Sequence, residues 1–495
     1  MRLATITEAQ KFGSDIIWVA FSQVATFLVA LVTLPAITKS YSPEIYGVWA
    51  QATVTIGLLI PIMTLLLGTA LVRFLAGEED KEKRRQLLGA MLWPVLVCTC
   101  LVLLLSILFR RDLSLLLFAA PQYVTFISLI FLWAAMEALL SFVLYYLIAV
   151  GKIKRQAVIQ LILSIAKIAL IVALATAGYR LERIIAGLIA LEAFFVMAVF
   201  WMIIRQTGFP KPNFNGLGRF LAFSVPLILS TLLLWIVTAS DRYFIAHLIN
   251  LSQTAIYSAS YALAGIISLF SAPIAFVLFP AVSKLWSQRE PVMVKNYLEY
   301  STRLFLALAI PGAIGLYMLS QPLLAIITTS DYLVGGGLVL LLAVGTILFG
   351  IYQINFQVIL LVQQTKWLLL MVGIAAAVNA GINIALIPRI GTIGAAISAG
   401  VSYFVLATIA TIWAWRVVGY KIDWKFLLKV IFAAIVMAFC LRFIELGSAL
   451  SIILAVIGGV VVYALGLFLT RAFSREDLRL AREMLALLNP KMWIE

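Results

Sequence analysis

Two groups of polar residues could do chemistry in a chain that is otherwise almost wholly apolar. The first is TASDRYFIAHL, Thr238 to Leu248, which ends an apolar run beginning at Val225 and contains His247, the chain's one histidine. Thr231, Trp235, Thr238 and Arg242 recur at spacings of 4, 3 and 4, which stacks them on one helical face. A guanidinium on a cavity-facing surface suits an anionic group, while Asp241, about 100° around the helix, is free to hold the arginine or an ion. The alternative is an interfacial pair whose arginine reaches the headgroups. His247, at the end of the stretch, reads as an interfacial residue.

The second group is dispersed. Trp133, Glu137, Ser141 and Tyr145 are each four apart, and Gln160, Ser164 and Lys167 answer them on the next apolar stretch. With a turn near Lys152, Glu137 and Lys167 both stand 15 residues from it and share one depth. A turn near Tyr179 brings Glu192 level with Lys167 in the same way. Charges at a helix centre cost about 2.5–3.5 kcal/mol each on the insertion scale, so the three should meet. Two readings remain open: a structural clamp, or a titrating site in which two acids sharing one base leave one carboxylate prone to take up a proton.

The elements that position these groups follow from composition. Of the 495 residues, 64% are hydrophobic and 12% charged, and the mean hydropathy is +1.11. A soluble domain carries about twice that charge, so the fold class is an all-α polytopic membrane protein. Fourteen stretches are long enough to cross about 30 Å of hydrocarbon. They lie at 16–38, 46–72, 87–109, 123–149, 157–177, 184–204, 220–247, 254–283, 303–327, 338–362, 368–387, 393–415, 426–444 and 450–470.

The formal charge of +15 does not point to nucleic acid, because the cations sit in the loops. With a cytoplasmic N-terminus, 27 of the 36 Lys and Arg residues face inward, including Arg73, Lys81, Lys83, Arg84, Arg85, Lys152, Lys154, Arg155, Lys284 and Lys366. Seven face outward and two, Lys167 and Arg242, lie within the membrane. The positive-inside rule therefore places both termini in the cytoplasm. The first apolar run is too long for a signal h-region and reads as an uncleaved helix.

An internal repeat organises the chain. Tyr46 corresponds to Tyr257 and Arg73 to Lys284, each 211 residues apart; Lys154 corresponds to Lys366 and Gly178 to Gly391, at 212 and 213. Two six-helix lobes of the same orientation follow, at 1–210 and 211–420, with a cavity expected between them. Two further helices occupy 421–471, and 472–495 forms a basic amphipathic tail suited to the inner membrane surface. Pro35, Pro61, Pro226, Pro273, Pro280 and Pro311 fall in or at the ends of helices, where they permit bends that suit lobes opening alternately to either side.

Several function classes are excluded by what is missing. Cys98, Cys100 and Cys440 have no disulfide or metal-ligand spacing, and no phosphate loop, zinc motif or nucleophile elbow occurs. The longest outward loop, about 110–122, is too short for a catalytic domain. No cofactor, no metal and no enzymatic activity are expected.

The stretches PAITKSYSPEIYGVWAQA, DRYFIAHLINLSQTAIYSASYALA, FPAVSK at 279–284 and NIALIPRIGTIGAAISAGVS at 383–402 resemble the Wzx-type polysaccharide flippases. These share a superfamily with drug-and-toxin extruders and lipid II flippases. The first helix pair lacks the arginine-rich proline, asparagine and acidic-glycine signature expected of a lipid II flippase. The resemblance implies movement of an oligosaccharide on undecaprenyl diphosphate across a bacterial inner membrane, for O-antigen, capsule or exopolysaccharide export. Its partners would be membrane lipids, a proton or sodium ion, and a polysaccharide polymerase.

For such a substrate, Arg242, Arg73 and Lys284 are the candidate partners of the diphosphate. Trp49, Gln51, Tyr257, Tyr261, Tyr352, Asn355 and Gln357 are the candidates for the sugars. Glu137, Lys167, Glu192 and Asp241 form the candidate ion-coupling or structural charge set. The extra helix pair resembles that of lipid II flippases and suggests a groove for the polyprenyl tail. The alternatives are a lipid II flippase and a cation-coupled multidrug-type exporter of the same fold, though the exporter would be expected to have an acid-dominated cavity.

Overall fold

A computed structural model describes residues 2–362, 364–444 and 448–473, so most of the expected amphipathic tail at 472–495 lies outside the described residues. Helices account for all regular structure among them. In chain order these are α1 Arg2–Thr38, α2 Pro43–Thr64, α3 Leu67–Leu75, α4 Lys81–Leu108, α5 Arg110–Phe118, α6 Val124–Ala149, α7 Ile153–Thr176, α8 Leu181–Thr207 and α9 Leu217–Ala239. They continue with α10 Asp241–Leu248, α11 Leu251–Ala264, α12 Ser268–Ser287, α13 Pro291–Ile327, α14 Gly336–Leu361, α15 Thr365–Ile390, α16 Thr392–Val418, α17 Trp424–Leu441 and α18 Ala449–Leu469.

Among the described residues, fourteen segments are long and apolar enough to cross a membrane, α11 and α12 counting as one. Helix is dictated by hydrocarbon, because a backbone amide left unpaired there costs several kcal/mol. The ends are fixed by local chemistry. Asp80 and Asp423 cap α4 and α17 by accepting the amides of Glu82 and Phe426, and Ser448 and Ser451 form a reciprocal capping box at α18. Gly178 and Gly391, which the repeat pairs, follow α7 and α15 with φ of +75° and +63°, a conformation that glycine adopts without strain.

Three expected spans are interrupted. The span 46–72 is two helices, α2 and α3, joined through Leu65 and Leu66, both left-handed at φ +50° and +47°. Pro61 has already removed one rung of the α2 ladder, and Thr64 spans the break: its hydroxyl donates to the Ile60 carbonyl (2.8 Å) and accepts from the Leu66 amide (3.3 Å). The span 220–247 stops at Ala239 and restarts at Asp241, whose carboxylate accepts the Arg242 amide at 2.9 Å. The span 254–283 is divided by a single 3₁₀ turn, Gly265–Ile267. The outward loop at 110–122 contains the short helix α5.

Packing separates the chain into two compact units, Ser14–Ala255 and Ile256–Glu495 together with Met1–Gly13. The first unit is built on a core that runs from Leu67 and Leu71 through Met91 and Val95 to Phe142, Leu147 and Val199. Helices α9 and α10, the seventh span, pack within this unit. In the second unit α17 and α18 lie against α13, where the Tyr463 hydroxyl donates to the Ala307 carbonyl at 2.7 Å. Apolar burial gives little drive to helix association in lipid, so close contact depends on small residues. Gly345 and Gly400 let α14 and α16 touch, and a Cβ on Gly466 would lie 2.9 Å from that of Ala433. Leu428, Phe432 and Phe468 on α17 and α18 remain exposed, as a lipid-facing surface requires.

Candidate functional site

The dispersed charges meet in the first unit. Glu137 lies near the middle of α6, Lys167 near the middle of α7 and Glu192 near the middle of α8. The Lys167 ammonium is 2.7 Å from Glu137 Oε2 and 2.7 Å from Glu192 Oε1. Trp133, one turn before Glu137, donates its indole N–H to the same Glu192 oxygen at 2.9 Å. Trp133 is held in turn by Trp49 of α2, with ring centroids 5.3 Å apart. Burial is graded: the Glu137 side chain is 27% exposed, Lys167 13% and Glu192 0%. Glu192 Oε2 is buried and accepts no hydrogen bond.

The seventh span forms a second polar centre. Arg242 Nη1 donates to Asp241 Oδ1 at 3.0 Å and to the Thr238 carbonyl at 3.1 Å, and both side chains of the pair are buried. Neighbouring residues point apart on a helix, and the long arginine folds back along it toward Thr238, where its guanidinium meets the Asp241 carboxylate. The Trp235 indole donates to the Val54 carbonyl of α2 (2.9 Å), and the Tyr243 and Thr55 hydroxyls lie 2.6 Å apart. The face carrying Trp235 is thus fastened to α2. His247 is exposed, with Nδ1 2.9 Å from the Tyr243 carbonyl and Nε2 3.2 Å from the Leu115 carbonyl of α5. It bridges α10 to α5.

The other candidates divide between the units. In the first, Gln51 is fully buried and neither its amide nitrogen nor its oxygen has a partner. Arg73 is exposed in the last turn of α3, with its guanidinium 4.5 Å from the centre of the Phe223 ring. A cation there complements the helix dipole and stacks on an aromatic face.

In the second unit Tyr257 and Tyr352 are buried, and the Tyr261 hydroxyl is 2.8 Å from that of Tyr403. Asn355 donates to the Thr411 hydroxyl (2.9 Å) and Gln357 to the Gln353 carbonyl (3.2 Å). Lys284 is exposed in the last turn of α12.

A further set escaped the sequence reading. Asn379 and Asn383 are fully buried on α15, with the Asn383 amide donating to Asn379 Oδ1 at 2.9 Å, and Ser398 of α16 donating to the Asn379 carbonyl at 2.8 Å. The i, i+4 asparagine pair within an apolar run was the available clue. Among the described residues, no group of histidine, cysteine or carboxylate side chains could hold a metal ion.

A family model described as polysaccharide biosynthesis protein matches residues 12–286, more than half of the chain. The chain belongs to this family. A curated relative, the probable low-salt glycan biosynthesis flippase Agl15 of Haloferax volcanii, is 22% identical over 222 residues, 45% of this chain. The match spans only 46% of that relative's own length.

Among solved structures, the lipid II flippase MurJ in an inward closed conformation superposes with a TM-score of 0.75 at 16% identity, over 91% of this chain and 98% of its own. A MOP superfamily transporter from Pyrococcus furiosus gives 0.60 at 14% identity, over 83% and 96%. An inward-facing multidrug resistance MATE transporter gives 0.56 at 16%, over 84% and 97%. At these identities the likeness shows the fold alone, one shared with these transporters. Family and fold agree with the motif resemblance to Wzx-type flippases, and the fourteen apolar segments make the chain a multi-pass membrane protein.

Proposed function

We propose that the protein is a flippase that carries oligosaccharide repeat units linked to undecaprenyl diphosphate across a bacterial inner membrane by alternating access. It serves O-antigen, capsule or exopolysaccharide export and makes or breaks no covalent bond. Both termini lie in the cytoplasm, and a polysaccharide polymerase takes up the product. The observation that carries this reading is the family match over residues 12–286.

The residues suit such a cargo. A diphosphate seeks fixed cations, and Arg73 and Lys284, which the repeat pairs, both stand exposed in the last turn of their helices. Arg242 supplies a third cation, released from Asp241 when an anion takes the carboxylate's place. Sugars seek hydroxyl, amide and aromatic partners. Gln51 has a donor and an acceptor to offer in any conformation that exposes it, and Trp49 stands two residues away. Tyr257, Tyr261, Tyr352, Asn355 and Gln357 supply the same chemistry from the second unit.

The test uses purified full-length protein in liposomes with a fluorescent polyprenyl-diphosphate oligosaccharide, scoring exchange between leaflets. Wild type should exchange the probe, and Arg242→Ala should slow exchange at least tenfold. Unchanged exchange in the mutant would return Asp241–Arg242 to a structural role. No exchange by wild type under any ion gradient, together with transport of cationic dyes, would replace this reading with a small-molecule exporter.

A further inference from the structure

The geometry points to a proton-binding site at Glu137, Lys167 and Glu192, in which one exchangeable proton sits on Glu192 and is loaded through Glu137. One ammonium between two carboxylates leaves a net negative charge halfway along three membrane-length helices, where an uncompensated charge is costly. A single bound proton makes the set neutral.

The site of that proton follows from the hydrogen bonds. Glu192 Oε1 already accepts from both Lys167 and Trp133, whereas its Oε2 is sealed from solvent and accepts nothing. A buried carboxylate oxygen without a donor is penalised most when charged. Glu137 has its Oε2 on Lys167 and is the most exposed of the three. It remains ionised against the ammonium and is the member of the set through which a proton would enter.

Among the described side chains, the surroundings offer no other group to take this role; on α1, which meets α7 through Thr26 and Ser164, the stretch 18–38 carries no titratable residue. On the helices packed against the triad, the described charges stand at helix ends. They are Glu44 on α2, Arg73 on α3, Lys81–Arg85 starting α4, Arg110–Asp112 on α5, Lys154 and Arg155 on α7, and Glu182, Arg183 and Arg205 on α8. The remaining titratable side chains are Tyr46 at the start of α2, Tyr145 and Tyr146 in the last turns of α6, and Cys98 and Cys100 in α4. Cys98 donates to the Ile62 carbonyl at 3.3 Å. Trp133 and its neighbour Trp49 wall off the Glu192 side.

The inference does not depend on which cargo the protein moves, and its test needs no substrate. Purified protein in nanodiscs is titrated while the infrared carbonyl stretch of protonated carboxyl groups is followed. Wild type should show one buried protonated carboxyl whose band disappears on alkalinisation, and Glu192→Gln should lose that band. Glu137→Gln removes the second negative charge and so should make the band disappear at lower pH, whereas Lys167→Met removes the cation and should retain it to higher pH. Matched elution profiles and tryptophan emission identify folded variants. A wild type without a titrating band, a band that survives in Glu192→Gln, or a midpoint unmoved in both charge variants would overturn the proposal.

Discussion

The two packing units hold polar groups with different chemistry. The first unit uses ions: the Glu137–Lys167–Glu192 triad and the Asp241–Arg242 pair are both held by contacts of 3.0 Å or less. The second uses neutral groups, the Asn379–Asn383–Ser398 set, Asn355 with Thr411, and Tyr261 with Tyr403. Its described ion pairs, Lys295–Glu299 in the first turns of α13 and Arg303–Asp423 between α13 and the N-cap of α17, are longer, at 3.8 and 3.9 Å. An ion set can change charge with pH and an amide set cannot. The proposed proton site therefore falls in the first unit, while the amide set of the second has no charge to change.

The largest effect expected from this contrast is at Lys167. Lys167→Ala leaves the Glu137 carboxylate, beside the Glu192 carboxyl, without its cation, and breaking a buried pair in this way costs about 3–5 kcal/mol. Thermal unfolding in detergent should show a large fall in Tm. The triple variant Glu137→Gln, Lys167→Met, Glu192→Gln keeps similar volumes and removes every charge, so it should recover most of the loss. A triple variant as unstable as Lys167→Ala would mean that packing, not charge, holds α6, α7 and α8 together.

At Asn383 the same experiment should give a smaller number. Asn383→Ala removes one neutral hydrogen bond to Asn379, a loss of about 1–3 kcal/mol once the abandoned acceptor is included. Its unfolding should also be insensitive to pH between mildly acidic and neutral conditions, unlike that of the triad variants. A loss at Asn383 equal to that at Lys167 would remove the distinction between the units.

The ion set was legible in the sequence because residue counts from a turn report depth. Glu137 and Lys167 are equally far from Lys152, and the turn falls there, between α6 and α7. The fourteen spans were legible for a related reason, since hydrocarbon admits little besides long apolar helix. Interruptions were less so. Leu65 and Leu66 are poor candidates for a left-handed turn on residue type alone, and the nearest marker, Pro61, stands four residues earlier. The Asp241–Arg242 contact was half legible: the sequence offers Asp241 as a holder of the arginine, but helical periodicity sets the two about 100° apart and does not show the guanidinium folding back toward Thr238. The neutral set at Asn379 and Asn383 was overlooked because short amides barely disturb an apolar run.

The smallest effects are expected where each unit interrupts a helix, and there the comparison becomes a matter of backbone. In the first unit the break uses two left-handed leucines, a conformation that costs a non-glycine residue roughly 1–2 kcal/mol. Leu66→Gly relieves that strain but loses a half-buried side chain and adds chain entropy of about 0.5–1 kcal/mol, so stability should stay within about 1 kcal/mol of wild type.

Leu67, next in sequence, is fully buried and helical, and Leu67→Ala should cost about 2–5 kcal/mol. In the second unit the Gly265–Ile267 turn stays right-handed at Ile267, and a Cβ on Gly265 would meet nothing within 4 Å. Gly265→Ala should therefore stabilise by about 0.4–1 kcal/mol, the reverse of what a left-handed hinge would give. Unfolding measured on all three variants separates a strained break in one unit from an unstrained one in the other; equal losses at Leu66 and Leu67 would show that no strain is stored at the first.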